Sequence, residues 1–185
     1  MSLAFPVLLA VGLGLMLGGR LGALTELQLR APYLFLVALA LQVVAFPVSA
    51  LPWRTEERVA SVLWVASYGL LVVAAVLNRR IAGVPVVALG MSLNLAVILA
   101  NQGTMPVRVD AMHDAGRVAL TQANSTALES PRLQWLIDRW AAPEWIPFAN
   151  VFSVGDVLIA AGAVVIVLAG MGVSFPRAPA RSGAR

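Results

Sequence analysis

Five apolar runs dominate this sequence, at about residues 3–19, 33–52, 60–78, 82–101 and 151–173. At about 1.5 Å of helical rise per residue, each covers all or most of a hydrocarbon core about 30 Å thick. Charge is scarce to match. Charged residues make up 12% of the chain, against about 25% in a soluble domain, and the mean hydropathy is +0.86. These features predict an all-α fold: a polytopic membrane helical bundle of about five transmembrane helices. Residues 1–175 read as a single bundle domain with a structured outer segment over 102–150, and 176–185 as a basic, disordered cytoplasmic tail.

Arginine placement sets the expected orientation, because basic residues in short loops favour the cytoplasmic side. Arg20 and Arg30 lie in the first loop, Arg79 and Arg80 in the third, and Arg177, Arg181 and Arg185 in the tail. In a five-span chain these share one side. The second loop carries Arg54 and Arg58, offset by Glu56 and Glu57. The N-terminus is therefore expected outside and the C-terminus in the cytoplasm. The first run has no basic residue ahead of it and no small-residue cleavage pattern after it, so it reads as a retained span.

Several chemistries are excluded by composition. There is no cysteine, hence no disulfide, thiolate ligand or thiol nucleophile. Every basic residue is arginine, so no lysine is present for a Schiff base or a phosphate loop. A pI near 11.0 could suggest nucleic acid, but the arginines are scattered between apolar runs, as topology demands. With His113 the single histidine, a metal site would have to rest on carboxylates, which argues against zinc. No cofactor is expected. No internal repeat is visible, which removes the usual frame of a transporter.

The polar residues inside the runs are few. Gly90, Asn94 and Asn101 follow i, i+4, i+11 and share roughly one helical face. Amides there serve either as hydrogen-bonding glue between helices or as the floor of a polar site at the outer surface. Gly12, Gly14, Gly18 and Gly19 read as close-packing positions, the last two also as a turn. Gln42 reads as a packing hydrogen bond. In the outer segment, 111–123 could form a short helix, and Asn124-Ser125-Thr126 matches the glycosylation pattern. In "SPRLQWLIDRWAAPEWIP", Ser130 and Pro131 resemble a helix start. Leu133, Leu136, Ile137 and Trp140 would form its apolar face. Trp135, Trp140 and Trp145 suggest an interfacial helix.

Two carboxylates remain. Asp156 opens the last run, and Asp138 lies on the expected interfacial helix. One reading of Asp156 is structural: an ion pair with Arg139, Arg132 or Arg108, or a helix N-terminal carboxylate favoured by the macrodipole, with Ser153 just ahead of it. The other pairs Asp156 with Asp138, so that one pKa rises and the two divide acid and base work on water. Asn94, Asn101 and Ser153 would line such a polar site.

Two resemblances attach to these residues. "GGRLGAL", "LRAPYLFLVALALQ", "GMSLNLAVILANQGTMPV" and "VFSVGDVLIAAG" resemble domain-of-unknown-function family 5317, an uncharacterised bacterial membrane family. That resemblance implies the bacterial cytoplasmic membrane and no particular activity. "WLIDRWAAPEWIPFANVFSVGDVLIAAG" is similar to the C-terminal half of lipoprotein signal peptidases (signal peptidase II), and "GMSLN" to their Gly-x-x-Gly-Asn stretch. It implies Asp138 and Asp156 as a catalytic dyad. Phe152-Ser153-Val154-Gly155-Asp156 stands where that family has Phe-Asn-x-Ala-Asp, so its asparagine is lost. Whether the chain is an enzyme stays open at this stage. A non-catalytic binding or accessory membrane protein leads, with a membrane-complex partner. The alternatives are an aspartyl-dyad hydrolase acting on a lipidated or amphiphilic substrate, and a small transporter. The lipid bilayer is the expected surrounding, and no nucleic acid is expected.

Overall fold

A computed structural model describes residues 4–46, 55–108, 110–111, 125–127, 130–142 and 151–173. Helix predominates. The helices are α1 (Ala4–Met16), α2 (Tyr33–Ala45), α3 (Glu57–Leu77), α4 (Val84–Ala100) and α5 (Val154–Gly170), with a 3₁₀ helix, Leu21–Glu26, between α1 and α2. Four short strands join them: β1 (Met105–Val107), β2 (Ser125–Ala127), β3 (Trp140–Ala141) and β4 (Val151–Phe152). β1 pairs in parallel with β2, and β3 antiparallel with β4.

Each apolar run contains one helix, but most helices are shorter than their runs. Among the described residues only α3, with 21 residues, is long and apolar enough to cross a membrane on length and composition. The boundaries have local causes. Gly18 turns the chain at φ +82° after α1. Phe46, ahead of Pro47, leaves helical geometry at φ −128° and ψ 72°, which ends α2. Gly83 at φ +88° precedes α4, whose first turn holds Pro85. Ser153 caps α5.

α4 and α5 lie antiparallel in the tightest packing of the molecule. Gly83 faces Gly162 and Gly90 faces Gly155, a spacing of seven residues on both helices. A Cβ on Gly90 would stand 2.5 Å from the Gly155 carbonyl oxygen, and one on Gly162 would stand 2.7 Å from that of Gly83. Only glycine lets the two backbones approach so closely. α1 runs alongside α5, with Gly14 and Gly19 against Met171, whereas Gly12 and Gly18 face open space. α2 lies against α3, where Gln42 donates to the Ser67 hydroxyl at 3.3 Å and Thr55 donates to the Val44 carbonyl. Gln42 thus makes the packing hydrogen bond its position suggests.

The same device holds one loop at each end of the bundle. Asn78 closes α3 and Asn101 closes α4. Each side-chain NH₂ donates to the carbonyl four residues back, Ala74 and Val97 respectively, both at 2.8 Å. Each amide also grips both backbone groups of a distant arginine. Asn78 takes the Arg30 N–H at 2.7 Å and donates to its carbonyl at 3.0 Å. Asn101 takes the Arg132 N–H at 2.9 Å and donates to its carbonyl at 3.1 Å. The residue after each arginine, Ala31 at φ +49° and Leu133 at φ +57°, is left-handed.

This clamp explains the main departure from sequence expectation. Residues 131–140 form turns and a strand start rather than an interfacial helix. With Arg132 fixed by Asn101 and Leu133 left-handed, the helix cannot propagate. Farther on, the Asp138 backbone bonds to β1: its N–H donates to the Pro106 carbonyl at 3.1 Å, and its carbonyl accepts from Arg108 at 2.9 Å. The Arg139 N–H donates to the Phe152 carbonyl at 3.1 Å. The backbone groups a helix would need are spent on neighbouring strands. The expected helix over 111–123 lies outside the described residues except Ala111. His113, Asn124, Trp145 and the tail arginines lie outside them too.

Stability should follow the seam. Gly90→Leu or Gly155→Leu forces backbones apart and should cost about 3 kcal/mol or more, the upper range for overpacking. Gly12→Ala, with nothing within 4 Å, should stay within about 1 kcal/mol and on the stabilising side. Thermal unfolding of the purified full-length variants in detergent makes the comparison.

Candidate functional site

The site is built from the start of α5. Ser153 is extended, at φ −106° and ψ 173°, and caps the helix. Its hydroxyl accepts from the Asp156 N–H at 3.1 Å, while the Asp156 carboxylate accepts from the Ser153 N–H at 3.1 Å. This reciprocal capping box satisfies two backbone donors that a helix start leaves over. Asp156 also sits where the helix dipole favours negative charge.

Asn94 reaches across from α4 to complete the junction. The Ser153 hydroxyl donates to Asn94 Oδ1 at 3.0 Å. Asn94 Nδ2 donates to Asp156 Oδ1 at 3.1 Å and to the Tyr68 hydroxyl at 3.4 Å. Both Asp156 oxygens, both Asn94 polar atoms and the Ser153 hydroxyl are thus committed. Gly155 makes this possible, because any Cβ there would run into the Asn94 amide. No arginine pairs with Asp156 among the described residues. Arg108 pairs with Asp110, and the Arg139 guanidinium stacks on Trp135 and Trp140, at 4.9 and 5.3 Å from their ring centroids. The ion-pair account of Asp156 is therefore replaced by the capping box and the Asn94 amide.

Asp138 is a different kind of carboxyl. It is 7% exposed, and its Oδ1 is buried without a hydrogen-bond partner. Its backbone is fixed by β1, and Ile137 beside it enters a buried cluster with Val97, Ile98 and Met105. Burial, then the negative charge of Asp156, push its pKa up to about 7. The two carboxyls are within electrostatic reach, but no hydrogen bond joins them.

Of the residues expected to line a site, Asn94, Ser153 and Asp156 come together and Asp138 lies near them. Asn101 does not join them, since its amide holds the Arg132 backbone. Sequence reading passed over Trp64 and Tyr68. They sit one helical turn apart on α3, with ring centroids 5.2 Å apart, and pack against the Ile137 cluster. Their i, i+4 spacing was the available signal. Among the described residues no group of three His, Cys, Asp or Glu could hold a metal.

The family model of a family of unknown function, DUF5317, matches residues 26–168. The chain belongs to this family. The DUF5317 match takes in both asparagine clamps, the glycine seam, Asn94, Asp138 and the capping box. No curated protein and no solved structure matches, so the likeness to lipoprotein signal peptidases gains no support from either.

The pKa of Asp138 gives a stability prediction for this DUF5317 chain. The unfolded chain releases the Asp138 proton near pH 4, whereas the folded chain holds it until about pH 7. Folding therefore loses stability as pH rises between those values, then levels off. Asp138→Asn should remove that slope and be the more stable protein at pH 8, by a few kcal/mol. Unfolding of wild type and variant across pH 4–8 reads the difference. Ser153→Ala should cost about 1–2 kcal/mol through the lost cap.

Proposed function

We propose that the chain is a multi-pass integral membrane protein of the bacterial cytoplasmic membrane, and that it binds a polar group at its outer end without catalysing a reaction. Residues 1–175 form its single bundle domain and 176–185 its cytoplasmic tail. The membrane placement rests on α3. Its best window has a mean hydropathy of 2.2, yet only 22% of that window is buried, unlike the core helix of a soluble protein. Large apolar side chains also stand exposed on the other helices, Leu8 and Leu36 each at 69%. Arg20, Arg30, Arg79 and Arg80 gather at the end where α3 finishes and α4 begins, which supports a cytoplasmic face there. The opposite end carries the carboxylates, with exposed Trp135 and Trp140 suited to the interface.

One observation carries the binding reading. Every side-chain polar atom of Asp156, Asn94 and Ser153 is engaged within the protein, whereas Asp138 keeps a buried oxygen with no partner, which an incoming group would supply. A structural Asp156 beside an unpartnered Asp138 describes a recognition site better than a water-activating pair. The partner would be a lipidated or amphiphilic molecule, or a subunit of a membrane complex.

The raised pKa of Asp138 beside Asp156 favours a second reading, an aspartyl-type hydrolase. The two readings separate on incubation of the purified protein with N-acylated peptides. The binding reading expects no cleavage. Turnover that disappears in folded Asp138→Asn and Asp156→Asn variants would establish the hydrolase.

The cysteine-free chain permits a clean topology test. Trp135→Cys should react with a membrane-impermeant thiol reagent on intact cells, and Arg80→Cys only after permeabilisation. The reverse pattern would overturn the orientation.

A further inference from the structure

Two buried polar atoms near the outer end are unspent. Trp64 Nε1 and Asp138 Oδ1 lack hydrogen-bond partners, and each adjoins one buried cluster, Trp64 by packing on it and Asp138 through its chain neighbour Ile137. Trp64 and Tyr68 pack against Val97, Ile98, Met105 and Ile137, and Ile137 adjoins Asp138 in the chain. The Asn94–Ser153–Asp156 junction, joined to the same aromatic pair through the Tyr68 hydroxyl, leaves no such atom. A buried polar group left unmatched is costly, so two beside one cluster mark a place that an incoming group would complete.

We propose that Trp64 and Asp138 together bind a neutral amide group, presented by an amphiphile at the outer end of the bundle. The inference rests on the binding reading above and names its ligand. The indole N–H only donates, so its partner must bring an acceptor, which an ammonium or guanidinium group lacks. An anionic head such as phosphate would meet the Asp156 charge, with Arg108 engaged by Asp110 and Arg139 stacked on tryptophans. A neutral carboxyl offers a donor and an acceptor side by side. An amide offers the complementary acceptor and donor at the same spacing, and its oxygen keeps a second lone pair for the indole N–H. Asp138 holds its proton up to about pH 7, which suits this pairing. The apolar side chains of Val65 and Leu136 around the cluster suit the ligand's hydrocarbon body.

The test uses the full-length protein in a glycosidic detergent at pH 6, with decanamide, decanol and methyl decanoate as probes in equilibrium titrations. Decanamide should bind saturably, and at least about tenfold more tightly than the alcohol or the ester, as loss of one buried hydrogen bond implies. Trp64→Phe and Asp138→Leu should each weaken decanamide about tenfold or more. Asp138→Asn, which keeps a donor beside an acceptor, should stay within about threefold of wild type on the same grounds. Should a variant fail to fold, the ranking of the three probes on wild type decides. Equal binding of alcohol and amide, still sensitive to Asp138→Leu, would overturn the amide assignment and leave the binding site standing. Asp138→Asn failing as badly as Asp138→Leu would show recognition by a charged carboxylate, which also overturns the amide. No saturable binding of any probe, or binding indifferent to Trp64 and Asp138, would sink both the inference and the site.

Discussion

The close approach of α4 and α5 is the constraint on which the rest depends. Gly83 on Gly162 and Gly90 on Gly155 bring the two backbones nearly into contact. Only at that separation can the Asn94 amide span the gap and bond to both Ser153 and Asp156. The capping box then serves two purposes. It starts α5, and it places a carboxylate where two N–H donors and a helix dipole stabilise it. A charged side chain at the head of an apolar helix is thereby tolerated without an arginine partner. The sequence of causes runs from glycine spacing to helix contact, from contact to a satisfied polar junction, and from that junction to the electrostatics felt by Asp138.

The two carboxyls illustrate how environment divides one residue type into two roles. Each Asp156 oxygen accepts a hydrogen bond. Asp138 is held by its backbone alone, against apolar neighbours and within the field of Asp156, and its side chain is left to find a partner. The asparagine clamps make that possible. Asn101 fixes the Arg132 backbone, the chain turns through left-handed Leu133, and Ile137 and Asp138 are delivered beside β1. Asn78 does the same for Arg30 and Ala31 at the opposite end. Each clamp outweighs the cost of a non-glycine residue in the left-handed region, about 1–2 kcal/mol.

Much of this was legible from residues alone. The apolar runs located the helices, Asp156 just after Ser153 had a helix N-terminal carboxylate as one of its readings, and Asn94 stood out as cross-helix glue or the floor of a polar site. What was not legible depended on partners distant in sequence. The periodic leucines and tryptophans of 131–140 suggested a helix, and nothing local revealed that Asn101, 31 residues away from Arg132, would interrupt it. Gly83 and Gly162 did not stand out, and Gly155 did so only as part of a motif, because each matters opposite another glycine. The glycines that did stand out lie in the first apolar run, where two of the four touch nothing. Nothing local to Asn78, the last residue of the third run, signals that it holds the Arg30 backbone.

The central claim is the division of labour between Asp138 and Asp156, and infrared difference spectroscopy tests it most directly. Wild type, Asp138→Asn and Asp156→Asn, each shown to be folded, would be titrated while the carbonyl stretch of protonated carboxyl groups is followed. The account predicts a band that titrates near pH 7 in wild type, is missing in Asp138→Asn, and persists in Asp156→Asn with its midpoint moved to lower pH because a neighbouring negative charge is gone. A band that survives Asp138→Asn and is lost in Asp156→Asn would contradict it, since the proton would then belong to the residue assigned here to the helix cap.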